Sequence, residues 1–109
     1  MHYHAEVWVP NLRNVYKSIS TMMGPYQNTD DNTNSFWDHW TIGGRWDGEI
    51  SPYNILPVNQ VVEDMECHTL MLPNTKPLFL DENFDGKIKG ALERCQIKDG
   101  HLVTVDYHS

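Results

Sequence analysis

The chain has 109 residues, of which 15 are acidic and 8 are basic, giving a formal net charge of -7 at pH 7. This length supports one domain with a single core, and no apolar run approaches the roughly 20 residues that span a bilayer. The acidic balance argues against direct nucleic-acid binding, because a nucleic-acid binder needs a basic surface that displaces counterions.

The first residues predict a strand followed by a helix. Polar and apolar side chains alternate from His2 to Val9 and stop at Pro10, as in a strand with one face on the core. We expect the other face to be exposed, and it carries His2, His4, Glu6 and Trp8. Asn11 is a suitable cap for a helix that buries one apolar stripe and ends at Gly24-Pro25.

The run from Gln27 to Ser35 has no apolar residue and many turn formers, so it predicts an exposed, mobile loop. Later patterns predict a strand at Cys67–Leu72, a helix at Asp81–Gln96 and a final strand at His101–His108. We therefore predict one α+β domain over residues 1–109. Its expected plan is a split βαβ, ferredoxin-like antiparallel sheet with two helices and with its N- and C-terminal strands paired.

Pairing of the terminal strands would create a cluster of imidazoles and carboxylates. His108 would lie near His2 and Asp106 near His4, with Glu6 next along the same outer face. Imidazole and carboxylate are common ligands of divalent metals, so His2, His4, Asp106 and His108 are candidate metal ligands. The alternative is a set of solvent-facing residues at the chain termini, with no cofactor.

Residues 35–50 contain three of the four tryptophans and three of the seven glycines. Under one hypothesis, the glycine N–H groups bind an anionic oxygen, the arginine pairs with a phosphate or carboxylate, and a tryptophan stacks on a planar ring. The candidate ligand-binding residues are Asp38, Trp40, Gly43, Gly44, Arg45 and Trp46. Together they would form a site for a nucleotide-like small molecule.

A structural interpretation of the same segment is also open. The glycine pair would then form a bulge, and Arg45 would make an ion pair with Asp38 or Asp47. The core of the domain would contain Phe36, Trp40, Ile42 and Trp46. No nucleophile elbow, P-loop or HExxH motif accompanies the segment, which favours a binding protein over an enzyme.

The stretch from Trp37 to Gly48 resembles the WD-x-[WY]-x-IGGRW-x-G signature of a family of uncharacterised proteins from bacteriophages and phage-rich bacterial genomes. Met23–Gln27 is similar to that family's APYDE-like stretch, and Val103–His108 is similar to its VVD-x-H ending. The chain departs from the pattern at Gln27, where an acidic residue is usual, and it lacks a Trp-His pair after Pro73-Asn74-Thr75. The resemblance implies a phage accessory protein in the host-cell cytoplasm.

Three functions follow as hypotheses. The first is a counter-defence protein that binds a nucleotide-type or phosphorylated signal through the IGGRW segment. We expect such a protein to be a homo-oligomer. The second is an acidic inhibitor of a host defence protein, acting through Asp30, Asp31, Asp38, Asp47 and Glu49. The third is a metal-dependent phosphoesterase that uses the terminal histidines and Asp106.

Overall fold

The computed structural model describes residues 1–29 and 33–109. In these ranges the elements are β1 (His2–Val9), α1 (Val15–Met23), β2 (His39–Ile42), β3 (Ile55–Pro57), β4 (Thr69–Met71), β5 (Leu78–Phe79), α2 (Leu80–Asn83), α3 (Ile88–Arg94) and β6 (His101–His108). The prediction of an α+β domain is confirmed. None of the described helices is long and apolar enough to cross a membrane.

The sheet has six strands and is built around the two terminal ones. β1 pairs antiparallel with β6 and parallel with β4, and β5 pairs antiparallel with β4 at one edge. On the other side of β6, β2 and β3 pair with different parts of the same strand. The ferredoxin-like split βαβ plan is not confirmed, because this sheet is mixed and larger. Its extra strands come from the segment between α1 and β4, which pairs twice with the free edge of β6.

The sheet separates two apolar cores. α1 covers one face, in a core formed by Ala5, Val7, Val9, Ile19, Met23, Trp37, Met71, Val103, Val105 and Tyr107. The core on the other side includes Leu70, Leu102 and the buried residues Ile88, Ala91 and Leu92 of α3. The predicted strand alternation is confirmed, but the expectation of an exposed second face is wrong. His4, Glu6, Thr104 and Asp106 on that face are all buried.

The helices differ from prediction at points of unusual backbone conformation. Asn14, with φ 49°, precedes α1, so the helix begins later than a cap at Asn11 implies. It continues past Met23 into a 3-10 turn at Gly24–Tyr26. The predicted second helix is divided into α2 and α3, because Asp85 and Gly86 between them have φ values of 51° and 77°.

The predicted mobile loop between Gln27 and Ser35 includes residues 30–32, which lie outside the described residues. At its two ends, Gln27 and Trp37 form a parallel bridge. The N–H of Phe36 donates to the carbonyl of Tyr26 at 2.9 Å. These contacts hold the residues that precede β2 next to the residues that follow α1.

Trp37 is the tryptophan of this region that enters the core. Its side chain is buried beside Met23, and its Nε1–H donates to the Met23 carbonyl at 2.8 Å. The predicted core positions are less buried: Ile42 is exposed and Trp40 lies against Tyr16, with 5.0 Å between ring centroids. Phe36, Trp40 and Trp46 are only partly buried. One indole therefore fixes the segment through both packing and a hydrogen bond.

We expect Trp37→Ala to lower the free energy of unfolding by about 3–5 kcal/mol, because it leaves a cavity and removes the donor to the Met23 carbonyl. Urea denaturation followed by circular dichroism measures this change. The control Tyr53→Ala removes a ring that is 85% exposed and should change the stability by less than about 0.5 kcal/mol. A similar small effect for Trp37→Ala would contradict its role in the core.

Candidate functional site

The turn after β2 is held on the sheet by Asp106 of β6. The N–H of Gly43 donates to the Thr104 carbonyl at 2.9 Å, and the N–H of Arg45 donates to Asp106 Oδ2 at 2.9 Å. His2 Nδ1 lies 2.8 Å from the other carboxylate oxygen of Asp106. One carboxylate therefore joins the first strand, the last strand and the tryptophan-rich segment.

The close approach of this turn to Asp106 requires glycine. Gly44 has φ 56°, and a Cβ added there would lie 2.5 Å from Asp106 Oδ2 and 2.6 Å from Asp106 Cβ. Gly43 has φ 75°, and its added Cβ would lie 2.9 Å from both Asn54 Nδ2 and Asp47 Oδ1. Positive φ and lack of space thus explain both glycines without a ligand.

The turn places Trp46 over a row of buried polar side chains. Its ring stacks on His4 with 5.4 Å between centroids and 14° between planes, and its edge contact with His68 has a centroid distance of 5.5 Å. Beneath it, His4 Nε2 contacts Glu6 Oε2. Thr104 Oγ1 donates to the same Glu6 oxygen at 2.7 Å. Trp46 and the turn therefore cover what would otherwise be an exposed polar face.

The two buried carboxyl groups of this face have opposite pKa shifts. Burial raises the pKa of Glu6, although the contacts with His4 and Thr104 favour its charged form. Burial alone would also raise the pKa of Asp106, but the Arg45 N–H and His2 outweigh it, and the net shift is downward. Asp106 is therefore held as an anion by the turn that it binds.

A pocket of about 270 Å³ lies beside Trp46. Four carboxylates line it, together with an aromatic and imidazole wall; the lining residues are His4, Trp46, Glu49, Glu66, Cys67, His68, Asp81, Asp85 and Gly86. Glu66 contacts Lys87. Within residues 1–29 and 33–109, the other three lining carboxylates form no ion pair with a lysine, arginine or histidine. The pocket thus has a concentrated negative charge, and we call it the acidic pocket.

The imidazoles of the pocket have defined hydrogen-bonding roles. His68 Nδ1 accepts the main-chain N–H of His4 at 2.8 Å, so the neutral ring carries its proton on Nε2. His4 is only 3% exposed, and its Nδ1 has no hydrogen-bond partner in the described part of the chain. When His4 donates to Glu6 through Nε2, Nδ1 is an acceptor. The pocket wall therefore includes a buried imidazole whose second ring nitrogen has no partner in the described part of the chain.

Both cysteines, Cys67 and Cys95, are free thiols. Cys67 lines the pocket and its Sγ donates to the Thr69 carbonyl at 3.3 Å. Burial, followed by the charge of Glu6, raises the pKa of this thiol well above its usual value. Because the thiolate is the reactive form, Cys67 is not activated as a nucleophile.

Among the predicted ligand residues, only Trp46 lines the acidic pocket. The N–H groups of Gly43 and Arg45 are engaged by the protein itself, as described above. The carboxylate of Asp38 lies 2.9 Å from His108 Nδ1. Trp40 lies on Tyr16 rather than beside Trp46. The six residues share one segment, but Asp38, Trp40 and Trp46 contact three different parts of the fold.

The predicted ion pair of Arg45 with Asp38 or Asp47 is not formed. Asp38 contacts His108, and Asp47 accepts a hydrogen bond from Asn54 Nδ2 at 2.6 Å. The Arg45 side chain is exposed, and its contribution to the fold is through its main-chain N–H. The segment is therefore fixed by the charge of Asp106 instead.

The predicted register of the terminal strands is confirmed, with His2 opposite His108 and His4 opposite Asp106. The side chains, however, form separate pairs: His2 with Asp106, His4 with Glu6, and His108 with Asp38. Among residues 1–29 and 33–109, no group of three or more His, Cys, Asp or Glu is placed to hold a metal ion. Each imidazole already has a carboxylate of its own, so the four predicted ligands do not converge on one point.

Several pocket residues were not selected from the sequence. Glu66, Cys67 and His68 reach the pocket because β4 pairs parallel with β1, which no local pattern reveals. Asp81 and Asp85 come from α2 and the break that follows it. The available signal was their spacing of four residues on a predicted helix, which places two carboxylates on one side.

The two segments that carry the phage resemblance are in contact. The Gly43–Arg45 turn belongs to one of them and Asp106 to the other, and the hydrogen bond to Arg45 N–H joins them. Comparisons with known protein families, curated proteins and solved structures found no match for this chain. The resemblance therefore stays a prediction, and the site is interpreted from its geometry.

We expect Gly44→Ala to lower the free energy of unfolding by about 3 kcal/mol, because it adds both left-handed strain and a collision with Asp106. Gly48→Ala is a matched control: its φ is 76°, but an added Cβ meets nothing within 4 Å. We expect Gly48→Ala to lower the free energy of unfolding by only about 1 kcal/mol, which is the cost of a left-handed backbone conformation for alanine. Urea denaturation of both variants measures the difference, and equal losses would show that contact with Asp106 does not require glycine.

Asp106→Asn should lower the stability by about 1–3 kcal/mol at pH 7, because it removes the anion that accepts the Arg45 N–H. The folded-state pKa of Asp106 is lowered, so its contribution is present above the unfolded value of about 4 and is lost as the pH falls through the folded value. The difference in the free energy of unfolding between wild type and Asp106→Asn should therefore become smaller below about pH 4. Urea denaturation at pH 7 and pH 3 measures it, with exposed Glu93→Gln as control. A gap that widens in acid would contradict this assignment.

Proposed function

We propose that the protein is a non-enzymatic binding protein that receives a lysine or arginine side chain of a partner protein in the acidic pocket beside Trp46. The observation that carries the proposal is the set of four lining carboxylates, of which only Glu66 forms an ion pair with a basic residue within the described ranges. Like charges held together in one pocket repel each other, and a bound cation relieves that repulsion. This is a modified form of the acidic-inhibitor hypothesis: of the five acidic residues predicted for it, only Glu49 lines this pocket, and Asp30 and Asp31 lie outside the described residues.

The pocket suits a single basic side chain in three further respects. Its volume of about 270 Å³ is below the usual range for drug-sized ligands, about 300–1,000 Å³. The indole of Trp46 provides an aromatic surface that attracts an ammonium or guanidinium group. When His4 donates to Glu6 through Nε2, its Nδ1 is an unused acceptor on a buried side chain that lines the pocket. Charge and size thus agree on the same class of group.

The same features disfavour a phosphate in this pocket, because four carboxylates would repel it. They also disfavour nucleophilic catalysis, since Cys67 is held as a thiol by its raised pKa. In the IGGRW segment, the N–H groups of Gly43 and Arg45 are engaged at Thr104 and Asp106, which leaves fewer main-chain donors for a nucleotide. Binding of a basic partner is the function that this geometry supports best.

The phage resemblance provides the biological context of the proposal. A small acidic phage protein that binds a basic side chain would act as an accessory factor against a host defence protein. A net charge of -7 would attract a basic surface from a distance, and the pocket would then fix the register of the complex. In this proposal, the long-range charge controls the association rate and the pocket controls specificity.

We expect saturable binding of Nα-acetyl-arginine methylamide and Nα-acetyl-lysine methylamide at the pocket. Two-dimensional NMR titration of the full chain measures this, with shifts expected at the Trp46 indole N–H and at the His68 amide. Asp81→Asn with Asp85→Asn should weaken binding about tenfold, because two carboxylates are lost. Raising the salt concentration to about 0.5 M should weaken it further.

The matched control is Glu82→Gln with Glu93→Gln, which removes the same charge from positions outside the pocket. It should leave the affinity within about twofold of wild type, because solvent-exposed charges outside the pocket make no direct contact with the bound group and are screened by salt. No saturable shift with either compound would remove the proposal. An equal loss of affinity in the control variant would show that the binding is general charge attraction and not specific to the pocket.

A further inference from the structure

A lysine of the chain itself contacts the acidic pocket. Lys87 Nζ contacts the carboxylate of Glu66, which lines the pocket. Glu66 and Lys87 also form an antiparallel bridge, and next to it the N–H of Cys67 donates to the Gly86 carbonyl at 3.0 Å. Residues directly opposite each other in an antiparallel bridge carry their side chains on the same face. The main chain therefore places the Lys87 ammonium beside the pocket.

The ammonium of Lys87 also lies in the field of other carboxylates. The hydrogen bond to Glu66 raises the pKa of Lys87, and the charges of Asp64 and Asp85 raise it further. Asp85 lines the acidic pocket together with Glu66. A cation of the chain therefore already neutralises part of the pocket to which we assign a cation of the partner.

The contact between Lys87 and Glu66 is exposed enough to be exchanged. The two side chains are 41% and 58% exposed, respectively. Exposed ion pairs contribute little to stability, because water and salt screen the charges and both flexible side chains lose entropy. A cation that makes a better contact with Glu66 can therefore displace Lys87 while the chain stays folded.

A basic side chain that enters the pocket competes with Lys87 for Glu66. An ammonium of a partner would replace the ammonium of Lys87 and would gain nothing at that carboxylate. A guanidinium would gain a net contact there, because it donates two parallel hydrogen bonds to one carboxylate, whereas an ammonium is a point charge. The internal pair therefore lowers the affinity for both groups and leaves arginine the larger net gain at Glu66.

We infer that Lys87 is an internal competitor that keeps the acidic pocket partly neutralised until an arginine of the partner displaces it from Glu66. The inference rests on the proposed function and adds to it an autoinhibitory contact and a preference for arginine. In the free chain, Lys87 is paired with Glu66. In the complex, the guanidinium of the partner binds the Glu66 carboxylate, and the Lys87 ammonium turns to solvent.

The test is a two-dimensional NMR titration of the full chain with Nα-acetyl-arginine methylamide and, separately, with Nα-acetyl-lysine methylamide. Lys87→Met removes the competing charge, so it should tighten the binding of both compounds about two- to fivefold, the range that an exposed ion pair represents. Lys87→Arg keeps the charge but can hold Glu66 through two hydrogen bonds, so it should weaken the binding of both about two- to fivefold. In wild type, the arginine compound should bind more tightly than the lysine compound.

A second readout follows the competitor itself. The ε-methylene signals of Lys87 should shift during the titration with the arginine compound. They should saturate at the same concentration as the signal of the Trp46 indole N–H. A lysine with a purely structural role would stay paired with Glu66 and would not show this shift.

The matched control is Lys89→Met, which removes the same charge two positions further along the chain. Lys89 pairs at 3.5 Å with Glu63, which is outside the pocket. This variant should bind both compounds within about 1.5-fold of wild type, because the charge that it loses is paired elsewhere and is screened by salt.

The outcomes separate this inference from the proposed function. No saturable binding of the arginine compound to wild type or to Lys87→Met would remove the proposed function, and this inference with it. Binding to wild type that Lys87→Met leaves unchanged or weakens would overturn the inference alone, as would equal affinities of Lys87→Arg and wild type. Equal gains in Lys87→Met and Lys89→Met would also overturn it, because they would indicate a general charge effect. The amide spectra themselves show that each variant is folded.

Discussion

The contact between Asp106 and the Gly43–Arg45 turn is the constraint on which the rest of this structure depends. Asp106 lies on the last strand, accepts the N–H of Arg45 and contacts His2 of the first strand. The glycines permit the approach, because a side chain at Gly44 would overlap the carboxylate. Once the turn is held there, Trp46 covers His4, and the polar half of the sheet becomes an interior. The pocket exists because this cover is fixed.

The buried polar row has an energetic cost that the fold does not recover internally. Glu6 is completely buried, and its Oε1 has no hydrogen-bond partner in the described chain. Burial of a carboxyl group with an unused oxygen is unfavourable, and apolar replacements of similar size are often more stable. The opposite half of the same face shows that an apolar solution was available, since Leu70 and Leu102 pack there under α3. His4 lines the pocket, and Glu6 holds it there through their side-chain contact.

The strands at the two ends were predictable from the sequence because strict alternation identifies a strand, and the pairing of His2 with His108 followed once the two were assumed antiparallel. Which face would be exposed was not predictable. That depended on the turn at Gly43–Arg45, whose contact with Asp106 joins residues 61 positions apart. Pairing of β4 with β1 is equally non-local, so the contributions of Glu66 and His68 to the pocket could not be deduced. Trp46 was selected from its unusual composition, and Trp37 was missed because composition does not distinguish a core indole from a surface one.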